Sequence, residues 1–504
     1  MYLLGFDIGS SAVKASLLEA SSGRAVASAT SPPDGSLPMD AERPGWAEQD
    51  PDLWWKHVCY ASNSVMRASN VDAAEVIGIG IAYQMHGLVL VDESLRPLRP
   101  AIIWCDSRAV SIGDRAFHAL GPERCLQTLL NSPGNFTGSK LRWVRENEPD
   151  ILSRAAYAML PGDYIALRMT GDPSTTPSGL SEGTLWNVKT EEPATFLLNH
   201  FDIPTNVLPP VVPTFAEHGA LTADAAAALG LNEGTPVSYR AGDQPNNALS
   251  LGALRPGELA ATAGTSGVVY GVIDSPAYDP QMRVNTFLHV NHTPDKPRYG
   301  VLLCVNGTGI LYRWLRDQMG GALSYQEMNA AARLAPPGAE GLLILPYGNG
   351  AERTLNNRNI GASLHHLHFN THTNRHVLRA AQEGIAFALR HGLEAMSAMG
   401  LKPRRIRAGH GNLFQSELFT RTFATLINVE VELYDTDGAE GAARGAGVGI
   451  GFYRSLDDAF EGLQALHTVE PDQTLRRPLE DAFERWTTLL SHTIHSEHST
   501  APIQ

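Results

Sequence analysis

The 504-residue chain has only four cysteines, Cys59, Cys105, Cys125 and Cys304, scattered with no C-x-x-C among them. A disulfide framework and a cysteine zinc site are thereby excluded, and a reducing, cytoplasmic setting is expected. Long apolar runs are also missing: no stretch approaches the ~20 residues that a membrane-spanning helix needs. The opening Met1-Tyr2-Leu3-Leu4-Gly5-Phe6-Asp7 has no basic leader and soon turns polar, so it does not read as a secretory signal. Positive charge is scarce. Against 53 Asp and Glu stand 39 Lys and Arg, a formal net charge of -14, which argues against a nucleic-acid or anionic-membrane surface. No G-x-x-x-x-G-K-[ST] occurs; the nearest stretch, Gly134 to Lys140, has the wrong spacing for a P-loop. Gly445-Ala446-Gly447-Val448-Gly449 hints at a dinucleotide fingerprint but falls inside a helical pattern, where close helix packing explains it. His365, His366, His368, His372 and His376 crowd one stretch at spacings that match no zinc signature, and are expected in solvated loop.

Glycine, by contrast, is plentiful at 47 residues. The chain is too long for one core and suits two domains. Strands are predicted over 2–8, 12–18, 24–30, 76–82 and 88–91. Asp50-Pro51 starts a helix, since Asp caps and Pro fits the first helical position. Helical patterns follow around 107–120, 140–148 and 222–229. A second set opens near Pro236, with strands at 237–241, 258–263, 267–272, 302–305, 342–345, 406–408 and 429–433. Helices are predicted there at 244–252, 374–399, 414–426 and 439–447, then at 455–463 and 479–490 in the tail. Strands alternate with helices in both halves, which implies α/β architecture. The boundary is placed at 247, giving domains 1–247 and 248–504.

An internal echo links the halves. Ile8-Gly9-Ser10-Ser11-Ala12-Val13 matches Ala263-Gly264-Thr265-Ser266-Gly267-Val268: strand, glycine-hydroxyl turn, strand. Such a tip offers backbone N–H groups and hydroxyls with little bulk, which is what a phosphate chain needs. Two of them, one per domain, would form a clamp. Asp7 precedes the first tip and can hold Mg²⁺, commonly through water. Asp243, in Arg240-Ala241-Gly242-Asp243-Gln244, falls where a strand gives way to a helix; it is either a helix cap or a general base, with Gln244 and Asn247 ready to bind hydroxyls. Gln84, Met85 and His86 follow a buried strand, at the kind of edge where α/β proteins bind ligands, although a lone histidine there is also commonly structural. Trp104 either covers the apolar face of a sugar, with Asp106 or Arg108 holding hydroxyls, or packs in the core. Gly409-His410-Gly411-Asn412 either lets an adenine lie flat on the backbone or is a plain strand–helix turn.

Taken together, these stretches resemble the FGGY family of carbohydrate kinases, and within it the members acting on D-xylulose. The likeness runs over roughly residues 1 to 450 with the motifs in order. It covers Gly5-Phe6-Asp7-Ile8-Gly9-Ser10-Ser11 with Lys14, Gly45 to Pro51, Gln84-Met85-His86-Gly87, Leu98 to Trp104 and Phe136 to Val144. It continues through Gly242-Asp243, Gly264-Thr265-Ser266-Gly267, Leu345 to Gly348 with Glu352-Arg353, and Gly409-Gly411-Asn412. The resemblance implies two actin-like, ribonuclease-H-like domains with ATP and sugar in the cleft between them, Mg²⁺ as cofactor, and a homodimer that the tail could serve. It assigns Asp243 and Asp7 to catalysis and metal, and Gln84, Met85, His86, Trp104 and Gln244 to the sugar. To the nucleotide it assigns Gly9, Ser10, Ser11, Lys14, Gly264, Thr265, Ser266, Gly307, Gly409, Gly411 and Asn412. The implied reaction is transfer of the γ-phosphoryl of ATP to a pentulose, D-xylulose by closest match. The alternatives are ribulose, another pentulose or a glycerol-like polyol, or a non-enzymatic ATP-gated sensor. The chain departs from the family pattern at Gln244, where Asn is usual, at His410 and Asn412 among the adenosine glycines, and at His366.

Overall fold

The computed structural model describes residues 1–319, 321 and 323–496. Its first sheet is built from β1 (Tyr2–Ile8), β2 (Val13–Glu19), β3 (Arg24–Ser31), β4 (Val76–Tyr83) and β5 (Val237–Gly242). The order is β3-β2-β1-β4-β5, an antiparallel meander followed by two strands parallel to β1. The second sheet contains β6 (Glu258–Ala263), β7 (Gly267–Ile273), β8 (Asn285–Leu288), β9 (Tyr299–Val305), β10 (Arg405–Gly409), β11 (Val431–Tyr434) and β12 (His467–Val469). Stripped of its edge strands β8 and β12, it runs β9-β7-β6-β10-β11, again a meander followed by two strands parallel to the first. The echo in the sequence is therefore an echo of topology, and both halves have the expected actin-like, ribonuclease-H-like order.

The inner strands read as unbroken apolar runs because both faces are covered: Leu3, Leu4, Phe6 and Ile8 of β1 have no exposed surface. After its fifth strand each half sends out a helix: α1 (Asp243–Ser250) in the first, α3 (Gly438–Gly449) in the second. The long α2 (Asn374–Ala398) lies between them in sequence and forms the spine of the second lobe. Helix α1 leans towards the second sheet, where Ala248 and Leu251 join Ala260, Tyr270 and Tyr434. Helix α3 lies on the first sheet so tightly that a Cβ on Gly449 would come 1.9 Å from the Ser238 carbonyl oxygen. Close packing is thus what the Gly445–Gly449 glycines are for. Asn246 Nδ2 also donates to the Gly438 carbonyl (2.8 Å), pinning the two helices together. The predicted division at 247 falls inside α1.

Local rules account for much of the rest. Asp50 caps the helix Pro51–Ser69, accepting from the Asp52 amide at 2.9 Å, and Asn70 in a left-handed conformation stops it. Three expectations need correction. The predicted helix over 455–463 is only a single 3₁₀ turn, Asp458–Phe460, since its residues bend back to put Phe460 against α3 and β5. The other tail helix is longer than the pattern suggests: α4 (Gln473–Ser496) carries Pro478 in its first turns. Its buried stripe of Leu479, Phe483, Trp486 and Leu490 is used within the chain. Trp486 and Phe483 stack 6.2 Å apart against Phe387 of α2, and Trp486 Nε1 donates to the Ile344 carbonyl (2.8 Å). The histidine stretch is also not simply solvated: His372 is buried and accepts from the His368 amide, and His376 accepts from the Thr373 amide at the start of α2. Among the described residues no helix is long and apolar enough to cross a membrane.

Candidate active site

Three neighbouring parallel strands, β1, β4 and β5, end together. Asp7 pairs with Ala82, and both Ile8 and Gly242 pair with Tyr83. The residues just past that common edge are the Gly9 tip, Gln84-Met85-His86 and Asp243, so strand register alone gathers groups far apart in sequence. At the equivalent edge of the second sheet stand the Gly264 tip, Gly409 to Asn412, and Asp437, which caps α3 by accepting from the Glu440 amide (2.9 Å). Asp437 is the counterpart of Asp243 in the duplicated plan.

The carboxylates crowd one another. Burial raises Asp7 to about 6; Lys14, paired with it across β1 and β2, pulls it down, and Asp437 pushes it up. The Asp7 carboxylate lies directly against Gly438, at the seam between the lobes. Asp243 stands higher still, at about 7, from burial and from the charge of Asp7, with hydrogen bonds from Gln244 opposing. Beneath them is Glu182, which the sequence did not flag. Its carboxyl is 1% exposed and packs over Gly242 next to Met85. Burial, then the charges of Asp243 and Asp163, push it well above the usual carboxylate range.

His86 sits at φ +61° in a sharp turn between the Phe136 and Phe287 rings, 4.7 and 5.5 Å away. Its Nδ1 is 2.8 Å from the Glu182 carbonyl oxygen. A carbonyl can only accept, so Nδ1 carries the hydrogen and Nε2 is left as an acceptor. Burial, then the charge of Lys140, lower the imidazole to about 3 and keep it neutral. Lys140 is itself buried and donates to the His86 and Ile103 carbonyls (2.8 and 2.9 Å), joining the turn that carries His86 to the one that carries Trp104. Trp104 is 50% exposed, which removes the core-packing alternative, and its Nε1 points at the Ser10 hydroxyl, 3.5 Å away. Met85 packs with Phe136 and Phe287.

Other expected residues lie differently. Gln84 is 2% exposed and its Nε2 donates to Gln49 Oε1 (3.1 Å), while Gln49 Nε2 donates to the Ser10 carbonyl (2.8 Å); this chain braces the first tip from behind. Asp106 and Arg108 are occupied with each other through three bonds of 2.7 to 3.0 Å, so neither is free to hold a hydroxyl. Gly307 presses against the Pro346 carbonyl, and its amide is taken by Glu352.

On the second lobe a cavity of about 420 Å³ opens beside Gly264 and Thr265, walled by Tyr312, Tyr325, Asn329 and Asn412. The two tyrosine rings stack at 6.1 Å, and Asn329 Oδ1 accepts from Tyr312 Oη (3.0 Å) and Gln382 Nε2 (2.9 Å). Asn412 reaches back to Gly264, and the space around Gly411 is open. The tyrosines and Asn329 escaped the sequence reading because nothing in a helical pattern separates a pocket wall from a core stripe.

The FGGY family of carbohydrate kinases matches in both of its parts, the N-terminal domain over residues 2–250 and the C-terminal domain over 259–449. A xylulose kinase of Bacillus subtilis is 30% identical over 464 residues, 91% of this chain and 90% of its own. A xylulose kinase of Escherichia coli is 31% identical over 449 residues, 88% of each. The crystal structure of xylulose kinase from Rhodospirillum rubrum superposes with a TM-score of 0.88 at 26% identity, over 99% of this chain and 100% of that one. With a duplicated fold, a carboxylate-lined seam and matches spanning both lobes, the chain belongs to the FGGY family of carbohydrate kinases and is an enzyme of that class.

Proposed function

We propose that the enzyme transfers the γ-phosphoryl of ATP to the terminal hydroxyl of a five-carbon keto-sugar, D-xylulose by preference, with Asp243 as general base. The observation that carries this reading is the position and acidity of Asp243. It stands at the strand edge shared with Asp7 and the His86 wall, and burial holds it near neutrality, where a base both accepts and releases a proton readily. As the acceptor oxygen bonds to the γ-phosphorus, the bond to the β–γ bridging oxygen breaks and ADP leaves with its electron pair. The hydroxyl proton passes to Asp243. His86 Nε2 takes a sugar hydroxyl, Trp104 covers the sugar, and Met85 with the two phenylalanines forms its apolar floor. Lys14 and the tip residues Gly9, Ser10, Ser11, Gly264, Thr265 and Ser266 receive the phosphates. The cavity by Asn412 receives the adenosine.

The charge of Asp7 raises the proton affinity of Asp243, and that of Asp437 raises the proton affinity of Asp7, so a cation held at these carboxylates would relieve the crowding. Carboxylate oxygens are hard donors that suit Mg²⁺; bound there, it supplies neutralisation of the β- and γ-phosphate charge. The D-xylulose preference is supported by relatives named xylulose kinases and by the Gln84-Met85-His86-Gly87 segment. A coupled ADP-release assay over D-xylulose, ribulose, other pentuloses and glycerol tests it; faster turnover of any other acceptor would displace D-xylulose.

Two expected results follow from the geometry. Because Trp104 is exposed and supports no core, Trp104→Ala should raise KM for the sugar roughly 10-fold with thermal stability unchanged. Initial rates against sugar concentration and a melting curve check it. Because the base works only when ionised, and its pKa is raised to about 7, kcat/KM for the sugar should rise with pH. The slope should be about tenfold per unit below that value, levelling off above it. A profile already flat at mildly acid pH would mean that an ordinary carboxylate, or none, limits the reaction.

A further inference from the structure

Glu352 and Arg353 adjoin on a turn that the roles above leave unused. Glu352 has no exposed surface, and its carboxylate receives the Asn306 amide at 2.9 and 3.1 Å, together with the Gly307 amide. The Asn306 side chain returns a bond to the Ala351 carbonyl (2.8 Å). One step further on, Thr308 Oγ1 and the Gly309 amide donate to the Gly264 carbonyl at 3.1 and 2.8 Å. The segment bearing Arg353 is therefore bolted to the second glycine tip. Its neighbour on β9 is Cys304. Two residues back, Leu302 packs on the Met85–Phe136–Phe287 floor; on one face of a strand that step is ~7 Å. The positive charge of Arg353 is felt by His86 on the other lobe.

Despite 53 acidic residues in the chain, Arg353 has no carboxylate partner among the described residues. Burial depresses its pKa, the mark of a cation held without compensation. A guanidinium kept unpaired in a cleft is costly unless an anion arrives to meet it. We propose that Arg353 meets the transferred phosphoryl group from the second lobe as the lobes close, holding the negative charge that spreads over its equatorial oxygens. This rests on the reading of the site as one of in-line phosphoryl transfer. Bonds form and break as described above, and Arg353 neither gains nor loses a proton; its fork of donors suits phosphate oxygens.

The test uses the full-length enzyme with saturating ATP and its best neutral acceptor sugar. Arg353→Ala should lower kcat by ~100-fold or more, with KM for ATP and sugar within about threefold, while Arg353→Lys should fall between the two. Added guanidinium, below denaturing concentration, should restore part of the Ala variant's turnover, which a merely structural loss would not allow. The melting temperature should hold, since no ion pair is lost. A kcat within about threefold of the parent enzyme would overturn the proposal. So would a loss confined to KM for ATP, or a loss that guanidinium leaves untouched. The two readings fail separately: an active Asp243→Asn enzyme removes the base and leaves Arg353 standing, whereas an active Arg353→Ala enzyme does the reverse.

Discussion

Asp243→Asn is expected to slow sugar phosphorylation by roughly 10³-fold or more while ATP still binds within a few-fold of its original affinity. Asparagine keeps the shape of the side chain and its place at the start of α1, so the helix and its contacts with the second lobe should survive. What goes is the proton acceptor. The nucleotide's proposed contacts, the two tips and the Tyr312–Asn412 cavity, lie on other strands and helices and do not depend on it. Turnover by coupled assay and ATP affinity by calorimetry separate the two effects. Turnover within about tenfold of the parent would sink the base assignment, and a collapse of ATP affinity would recast Asp243 as chiefly a metal-holding residue. Asp7→Asn should behave differently. Removing the neighbouring charge lowers the pKa of Asp243, so the acid limb of the pH profile should move to lower pH in whatever activity remains.

Much of this site is legible in the sequence, because its parts sit at strand ends. A buried strand followed by glycines and a polar residue is a local pattern, and Asp7, the Gln84–His86 turn, Asp243 and the Gly409–Asn412 turn all have it. The duplication was equally legible, since a glycine–hydroxyl tip between two strands can be recognised twice. What escaped lies where the decisive neighbour is distant. Glu182 ends a short helix with nothing local to mark it; only the tertiary approach of Gly242 turns it into a buried carboxyl beside Asp243. Phe287 reaches His86 from the other lobe, 201 positions away in sequence. Gln84 looked like a sugar ligand because it shares a turn with His86, yet its side chain is buried behind the first tip, where Gln49 takes its amide, a partner 35 positions away that no local pattern shows. Asp106 and Arg108 read as free polar groups for the opposite reason: sequence shows each residue and not that one satisfies the other.

Replacing Gly80 by alanine should be among the more damaging single-methyl changes in the fold. Gly80 lies mid-strand in β4, and a Cβ there would stand 1.9 Å from the Ala442 carbonyl oxygen and 2.6 Å from its carbon. Both are backbone atoms of α3, which cannot swing aside as a side chain would. Helix α3 must therefore lift from the first sheet, against the Gly5 and Tyr239 contacts on either side. Overpacking a close-packed layer costs ~1–3 kcal/mol, more where backbone is forced to move, and each kcal/mol is worth about 2–4 °C in a domain of this size. A fall of roughly 5–10 °C is expected. Activity should drop as well, because the same helix begins with Asp437 and Gly438, which lie against Asp7. The contrast is Gly411→Ala. No atom lies within 4 Å of a Cβ there, and the backbone, at φ -147°, accepts alanine without strain. Melting temperature should be unchanged in that variant, with any effect confined to KM for ATP. If Gly80→Ala melts like the parent, the two lobes are not locked through α3, and the seam that brings Asp7, Asp243 and Asp437 together must be held by something else.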